Sequence, residues 1–187
     1  MFRQNPEDFI QESSRIINEQ KATIIVEHIG YDVLDSTFSS DIFTQNQVRV
    51  DLSGTGRALT RHVWPYVETD SDGEKKFASA LDVSDEVAVF AKLPRGFFIP
   101  TPMGNYNPDW AIAFQEGAVK HIYFVAETKG SMSTAQLRGV EHQKIEAAKA
   151  FFEALNRRVM ANGDGADQLV EYHQVASYQD LMDRVLG

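Results

Sequence analysis

Three residues in the middle of the chain have the types and spacing for phosphate chemistry: Asp109, Glu127 and Lys129. Asp109 follows Pro108 and opens the run 109–115, in which Trp110, Ile112 and Phe114 alternate with Asp109, Ala111 and Ala113. In 121–127, Ile122, Phe124 and Ala126 alternate with Tyr123, Val125 and Glu127. Strand side chains alternate with period two, so both runs read as strands with two apolar faces, covered on both sides. Glu116-Gly117 lies between them as the turn of a hairpin. An antiparallel pair brings the start of the first strand to the end of the second. Asp109 and Glu127 then share one sheet edge, and Lys129 joins them on the same face if the extended geometry continues.

Two carboxylates and an ammonium at the mouth of an apolar scaffold suit metal-assisted phosphodiester hydrolysis. Mg²⁺ takes oxygen ligands, keeps several waters and is usually held by one or two carboxylates plus substrate phosphate. It polarises the phosphate and lowers the pKa of a bound water. A lysine beside it can orient that water and offset charge on the pentavalent phosphorus. The peptide carbonyl of Thr128 is a natural further ligand. Acid-x-Lys alone is a weak signal, since it also occurs at Glu19–Lys21 and Glu74–Lys76. Only the third copy ends an apolar strand and follows a Pro-Asp that opens one. The same residues also fit a surface ion pair at a sheet edge, which adds little stability.

Around this group the chain shows no repeat, low-complexity tract or long linker. Residues 6–20 have Phe9, Ile10, Ile16 and Ile17 at helical spacing. Ala22 to Val33 and Gln47 to Leu52 are rich in β-branched or alternating apolar residues and read as strands. Asp70 or Ser71 can cap a helix through Glu74, Phe77, Ala80 and Leu81. Val87 to Leu93 reads as a strand. The stretch 94–108 holds four of the six prolines and must be a stiff loop. Gln136 to Arg158 is the longest helix, with Ile145, Ala148, Phe152 and Leu155 as its core stripe and Gln143 and Lys144 off it. A strand at Leu169 to Ala176 and a helix at Tyr178 to Leu186 close the chain. The order from about residue 68, helix, three strands, helix, strand, helix, indicates an α/β fold with a mixed central sheet flanked by helices. The expected division is an acidic lead-in over 1–66 and a second domain over 67–187.

Composition narrows the classes. The chain has 187 residues, 43% of them hydrophobic, enough for a real core. Zero cysteines remove disulfides, thiolate metal sites and cysteine nucleophiles. No apolar run suits a membrane span and the first residues do not resemble a secretory leader, so a cytoplasmic protein without a membrane partner is expected. The five histidines show no metal-ligand spacing. The net charge of −9 argues against a nucleic-acid partner at first sight. It is unevenly spread: residues 92–158 hold 9 basic and 6 acidic side chains, between acidic flanks.

The wider string carries a resemblance. Lys92-Leu93-Pro94, Ile99-Pro100-Thr101-Pro102, Gly104, Tyr106-Asn107-Pro108-Asp109-Trp110-Ala111, Phe124-Val125-Ala126-Glu127-Thr128-Lys129-Gly130 and Leu137-Arg138 together resemble the endonuclease domain of the Res subunit of type III restriction–modification enzymes. Within them, Pro108-Asp109 and Glu127-Thr128-Lys129 match the signature of the PD-(D/E)xK nucleases. The resemblance implies an Mg²⁺-dependent endonuclease acting on double-stranded DNA. Asp109, Glu127 and Lys129 would be catalytic, with Asp109, Glu127 and the Thr128 carbonyl on the metal. It also implies an acid in the helix before the first core strand, here Glu74, reaching the metal shell directly or through water. Family partners are a DNA-methylating Mod subunit and a helicase-like ATPase motor. The phosphate-binding Gly-x-x-x-x-Gly-Lys-Ser/Thr of such a motor is missing from this chain, so ATP belongs to the motor and not to these residues.

Three further residues are candidates beside the site. Arg138 and Glu141, three apart near the start of the long helix, can act next to the metal edge or simply form an ion pair. Arg95, in the proline-rich loop, can contact DNA or belong to a lid over the core. Two other functions stay open: a stand-alone nuclease of DNA repair or of a mobile element, and a non-catalytic module docking on a motor or methyltransferase subunit.

Overall fold

The computed structural model describes residues 5–31, 58–117, 123–128, 135–163 and 169–186. Their elements are α1 (Pro6–Glu27), α2 (Asp72–Val83), β1 (Val87–Lys92), β2 (Trp110–Phe114), β3 (Tyr123–Thr128), α3 (Ala135–Ala161), β4 (Val170–Val175) and α4 (Tyr178–Leu186). The strands form one sheet in the order β1-β2-β3-β4. β1, β2 and β3 pair antiparallel, and β3 pairs parallel to β4. A parallel neighbour needs a crossover, and α3 supplies it. The mixed sheet flanked by helices agrees with the expected α/β class.

Alternation sorts the sheet into two faces. Phe90, Trp110, Ile112, Phe114 and Val175 pack with Phe77 and Leu81 of α2 and Leu181 and Val185 of α4. Val125 and Tyr172 face the other way and pack with Ile145, Ala148 and Phe152 of α3. Trp110 and Phe114 are buried on the first face, so the rung that precedes Trp110, at Asp109, is set by a fixed anchor. Coverage of the second face is less complete than the apolar pattern suggested. Among the described residues an open apolar groove of about 320 Å³ runs over Val89, Ala91, Ala111, Ala113 and Val125.

Three local expectations are corrected. Ala22 to Glu27 belongs to α1, not to a strand. Asn5 accepts from the backbone of Asp8 and Pro6 sits at the first helical position, so the helix is started by its N-terminal signals and runs on through Ile24 and Ile25. Their β preference is a fit to a pleated surface and yields where none is offered. No strand follows at His28–Tyr31, and the rest of that expectation, with Gln47–Leu52, lies outside the described residues. The other two corrections concern α3. Gln143 is buried at 7% exposure, whereas Leu155, assigned to the core, is 36% exposed. α1 packs on α3 as well as the sheet does, so Gln143 and the fully buried Ala147, one turn apart, form a second buried line.

Residues 58–67 are tied to this core. Asp82, buried at the end of α2, accepts from the backbone N–H groups of Thr60 (2.6 Å) and Arg61 (2.8 Å). Beyond them, Phe90 N–H donates to Arg61 O and Val63 N–H to Phe90 O, both at 3.0 Å, so this segment shields the outer edge of β1. His62 sits there at the end of the ladder: its Nε2 accepts from Lys92 N–H at 3.1 Å and its Nδ1 lies 2.9 Å from Trp64 O. Trp64 N–H also lies 3.0 Å from Nδ1, so the role of Nδ1 depends on the tautomer, while Nε2, in accepting from Lys92, keeps the ring neutral. Burial holds the His62 pKa below the ordinary imidazole value, against smaller opposing effects of the Trp64 carbonyl and Asp82.

Candidate active site

The C-terminal ends of β1, β3 and β4 and the N-terminal end of β2 open on one edge of the sheet. Trp110 stands opposite Ala126, and Leu93 N–H donates to Asp109 O at 2.7 Å. One step beyond that rung come Asp109, on the α3 face by strand alternation, and Glu127, whose backbone is in register there and whose side chain lies outside the described residues. Asp109 is half-buried. Glu127 and Thr128 are in turn paired in register with Gln174 and Val175 of β4. In backbone register, the last row of the sheet therefore reads Leu93, Asp109, Glu127, Gln174. Lys129 lies outside the described residues.

Glu74 belongs to the same edge but is reached from the α2 face. Lys92, whose cross-strand partner is Trp110, points there. Its Nζ donates to Glu74 Oε2 at 2.6 Å and to Asp70 Oδ2 at 3.0 Å. Glu74 Oε2 also accepts from Asp70 N–H, while Ser71, the N-cap of α2, accepts from Glu74 N–H. Glu74 thus closes a capping arrangement and an ion pair at once. Burial opposes the Lys92 charge, yet the hydrogen bonds and negative charge of Glu74 and Asp70 outweigh it and raise the ammonium pKa.

The proline-rich loop is fixed by its own hydrogen bonds. Phe97 N–H donates to Pro94 O at 2.8 Å, closing a turn with Arg95 and Gly96 at its exposed tip. Asn107 braces it, its Nδ2 donating to Pro94 O (3.2 Å) and Phe97 O (2.6 Å). Farther out, Ile99 and Tyr106 exchange backbone bonds, and the buried hydroxyls of Tyr106 and Tyr172 meet at 2.5 Å. Arg95 is thereby held two residues from the Leu93–Asp109 rung. Arg138 lies in the first turns of α3 and Glu141, half-buried, follows; the pairing foreseen between them falls on a side chain outside the described set.

Among the described residues no three His, Cys, Asp or Glu side chains are gathered as a metal cluster. The donors offered by the row are carboxylate and peptide oxygens without imidazole or thiolate, which is a chemistry suited to Mg²⁺ rather than Zn²⁺. Two participants in this region escaped sequence reasoning. Lys92 was visible only as a residue of a matching string, and its role as the partner of Glu74 depends on α2 lying against β1. Gln174 carried no signal, because its register to Glu127 exists only once β4 joins β3.

Comparison with known proteins bears on the same residues. Residues 60–178 match the profile of a family described as an endonuclease domain. The Res subunit of the type III restriction–modification enzyme EcoPI, from Escherichia phage P1, is 30% identical over 129 residues, covering 67% of this chain and 12% of that protein. The Res subunit of the type III enzyme EcoP15I, from Escherichia coli, is 31% identical over 103 residues, or 54% of this chain and 10% of that protein. The chain spans about a tenth of the length of these relatives. No solved structure matches it.

Proposed function

The chain belongs to the endonuclease-domain family and is related to type III Res subunits, and from that premise we propose that it hydrolyses phosphodiester bonds of double-stranded DNA with Mg²⁺. The observation that carries this reading is the register that takes Asp109 and Glu127 one step past the Trp110–Ala126 rung, at one edge of the sheet. Asp109, Glu127 and the Thr128 carbonyl would hold the cation. When bound, it activates water and neutralises phosphate charge. Lys129 orients the attacking water and meets the charge that builds on phosphorus. Glu74, fixed by Lys92, reaches the metal shell through water from the α2 side.

Substrate contact falls to the surroundings. Arg95, on its braced turn, takes a backbone phosphate next to the site, and Arg138 and Glu141 act at the start of α3. The N-termini of α2, α3 and α4 open toward the same edge, so their dipoles favour the approach of an anion. Local features of this kind offset a net charge of −9 that makes affinity for DNA weak and sensitive to salt. The nuclease unit spans 67–187, with 1–66 as its lead-in. By analogy with the Res relatives, it works alongside a helicase-like motor that uses ATP and a Mod methyltransferase, in the cytoplasm. No helix among the described residues is long and apolar enough to cross a membrane.

Supercoiled-plasmid nicking tests the proposal. Cleavage should appear with Mg²⁺, vanish with a chelator and be lost in Lys129→Ala, with motor and methyltransferase subunits added to deliver the DNA. Wild-type cleavage that persists unchanged in Lys129→Ala would overturn the catalytic assignment.

A further inference from the structure

We infer that Gln174 is a substrate-binding residue of this site, its amide donating to a nonbridging oxygen of the phosphodiester held at Asp109 and Glu127. The inference rests on the nuclease reading and adds to it a residue from a fourth strand. Gln174 is paired in register with Glu127, the closest spacing two neighbouring parallel strands allow, about 4.8 Å between backbones. Alternation puts it on the face of Tyr172, which is buried against Phe152 of α3. From Tyr172 to Gln174 the strand leaves that core and reaches the edge.

Its chemistry and surroundings agree with this use. The side chain is half-buried, and among the described residues its amide has no hydrogen-bond partner, although Asn107 and Asn156 both have theirs. Asn156 is informative because it braces the opposite end of the same strand, bonding both backbone groups of Val170 at 2.9 Å. Asn107 and Asn156 thus spend their amides on backbone groups beside them, whereas the Gln174 amide, at the edge where β4 meets Glu127, is left for a ligand. The position also suits a neutral donor. A third acid next to Glu127 would repel the phosphate, and a lysine would compete with the cation for the two carboxylates.

Divalent-cation titration and duplex-DNA binding in Ca²⁺, on the full chain, test this with Gln174→Ala, Gln174→Glu and Gln174→Asn. Gln174→Ala should leave cation affinity within about twofold and weaken duplex binding about three- to tenfold, as expected for one lost hydrogen bond. Gln174→Asn, which keeps the amide but shortens its reach, should weaken duplex binding in the same direction. Gln174→Glu should move the two ligands oppositely, tightening the cation and weakening the duplex more than Gln174→Ala does. The opposition in Gln174→Glu reports that the position lies beside the cation, and the loss of duplex binding at unchanged cation affinity in Gln174→Ala is what a merely structural glutamine would not give. Wild type that binds cation and duplex, with variants that do neither better nor worse, overturns the role of Gln174 alone. Wild type that binds no divalent cation overturns the nuclease reading and this inference with it.

Discussion

On the α2 side of the sheet edge, Lys92 meets Glu74 and Asp70, and the charges are balanced within the protein. On the α3 side, one backbone step away, Asp109 and Glu127 stand in a row with Gln174, and the proposed counter-charge is a cation together with Lys129. The two halves use the same residue types and share the β1–β2 rung at Lys92 and Trp110. What differs is what the neighbouring helix brings. α2 delivers its capped N-terminus with Glu74 directly onto a strand lysine, so that half serves as a brace. On the α3 side the strand ends bring Asp109, Glu127 and Gln174 into one register, and this is where the cation is proposed to sit.

The contrast can be broken most severely through the acid row. Asp109→Asn or Glu127→Gln should reduce Mg²⁺-dependent cleavage about a thousandfold, the several kcal/mol such an ion supplies, while the melting temperature stays close to wild type. Lys92→Met should do the reverse. It leaves the partly buried Glu74 without its cation and should cost about 2–3 kcal/mol in denaturant unfolding, with a smaller effect on cation binding. Equal losses of cation affinity in Lys92→Met and Asp109→Asn would erase the distinction between the two halves.

The pH response of the shared rung gives a finer test. Because burial lowers the His62 pKa in the folded state, the unfolded chain binds the proton more readily. His62 therefore contributes its stability above the unfolded imidazole value of about 6.5 and loses it as pH falls toward the lower folded value. Unfolding at pH 5 and 7.5 should show that loss in wild type and a smaller one in His62→Gln. The smallest effect is expected at Arg95: Arg95→Ala should weaken duplex binding and lower the salt slope by about one counterion, with cleavage of bound DNA unchanged.

Much of this edge was legible in the sequence. Period-two alternation located β2 and β3, apolar or β-rich runs located β1 and β4, and the Pro-Asp and Glu-x-Lys at strand ends put two acids on one edge because an antiparallel pair admits no other arrangement. What stayed hidden depended on contacts distant in sequence. Ile24 and Ile25 look like strand residues until the helix begun at Asn5 carries them along. Gln143 looks solvated until α1 is laid on α3. Lys92 and Glu74 are 18 residues apart and become a pair only through the packing of α2 on β1. Gln174 is 47 residues from Glu127, and only the parallel register of β3 and β4 joins them.

The central claim is that the α3-side row, and not the braced α2 side, holds the cation. Calorimetric titration of the full chain with Mg²⁺, compared across wild type, Asp109→Asn and Glu74→Gln, addresses it most directly. Binding should be saturable in wild type, fall about tenfold or more in Asp109→Asn, and change about twofold in Glu74→Gln, which acts through water. Undiminished binding in Asp109→Asn, or a greater loss in Glu74→Gln than in Asp109→Asn, would contradict it.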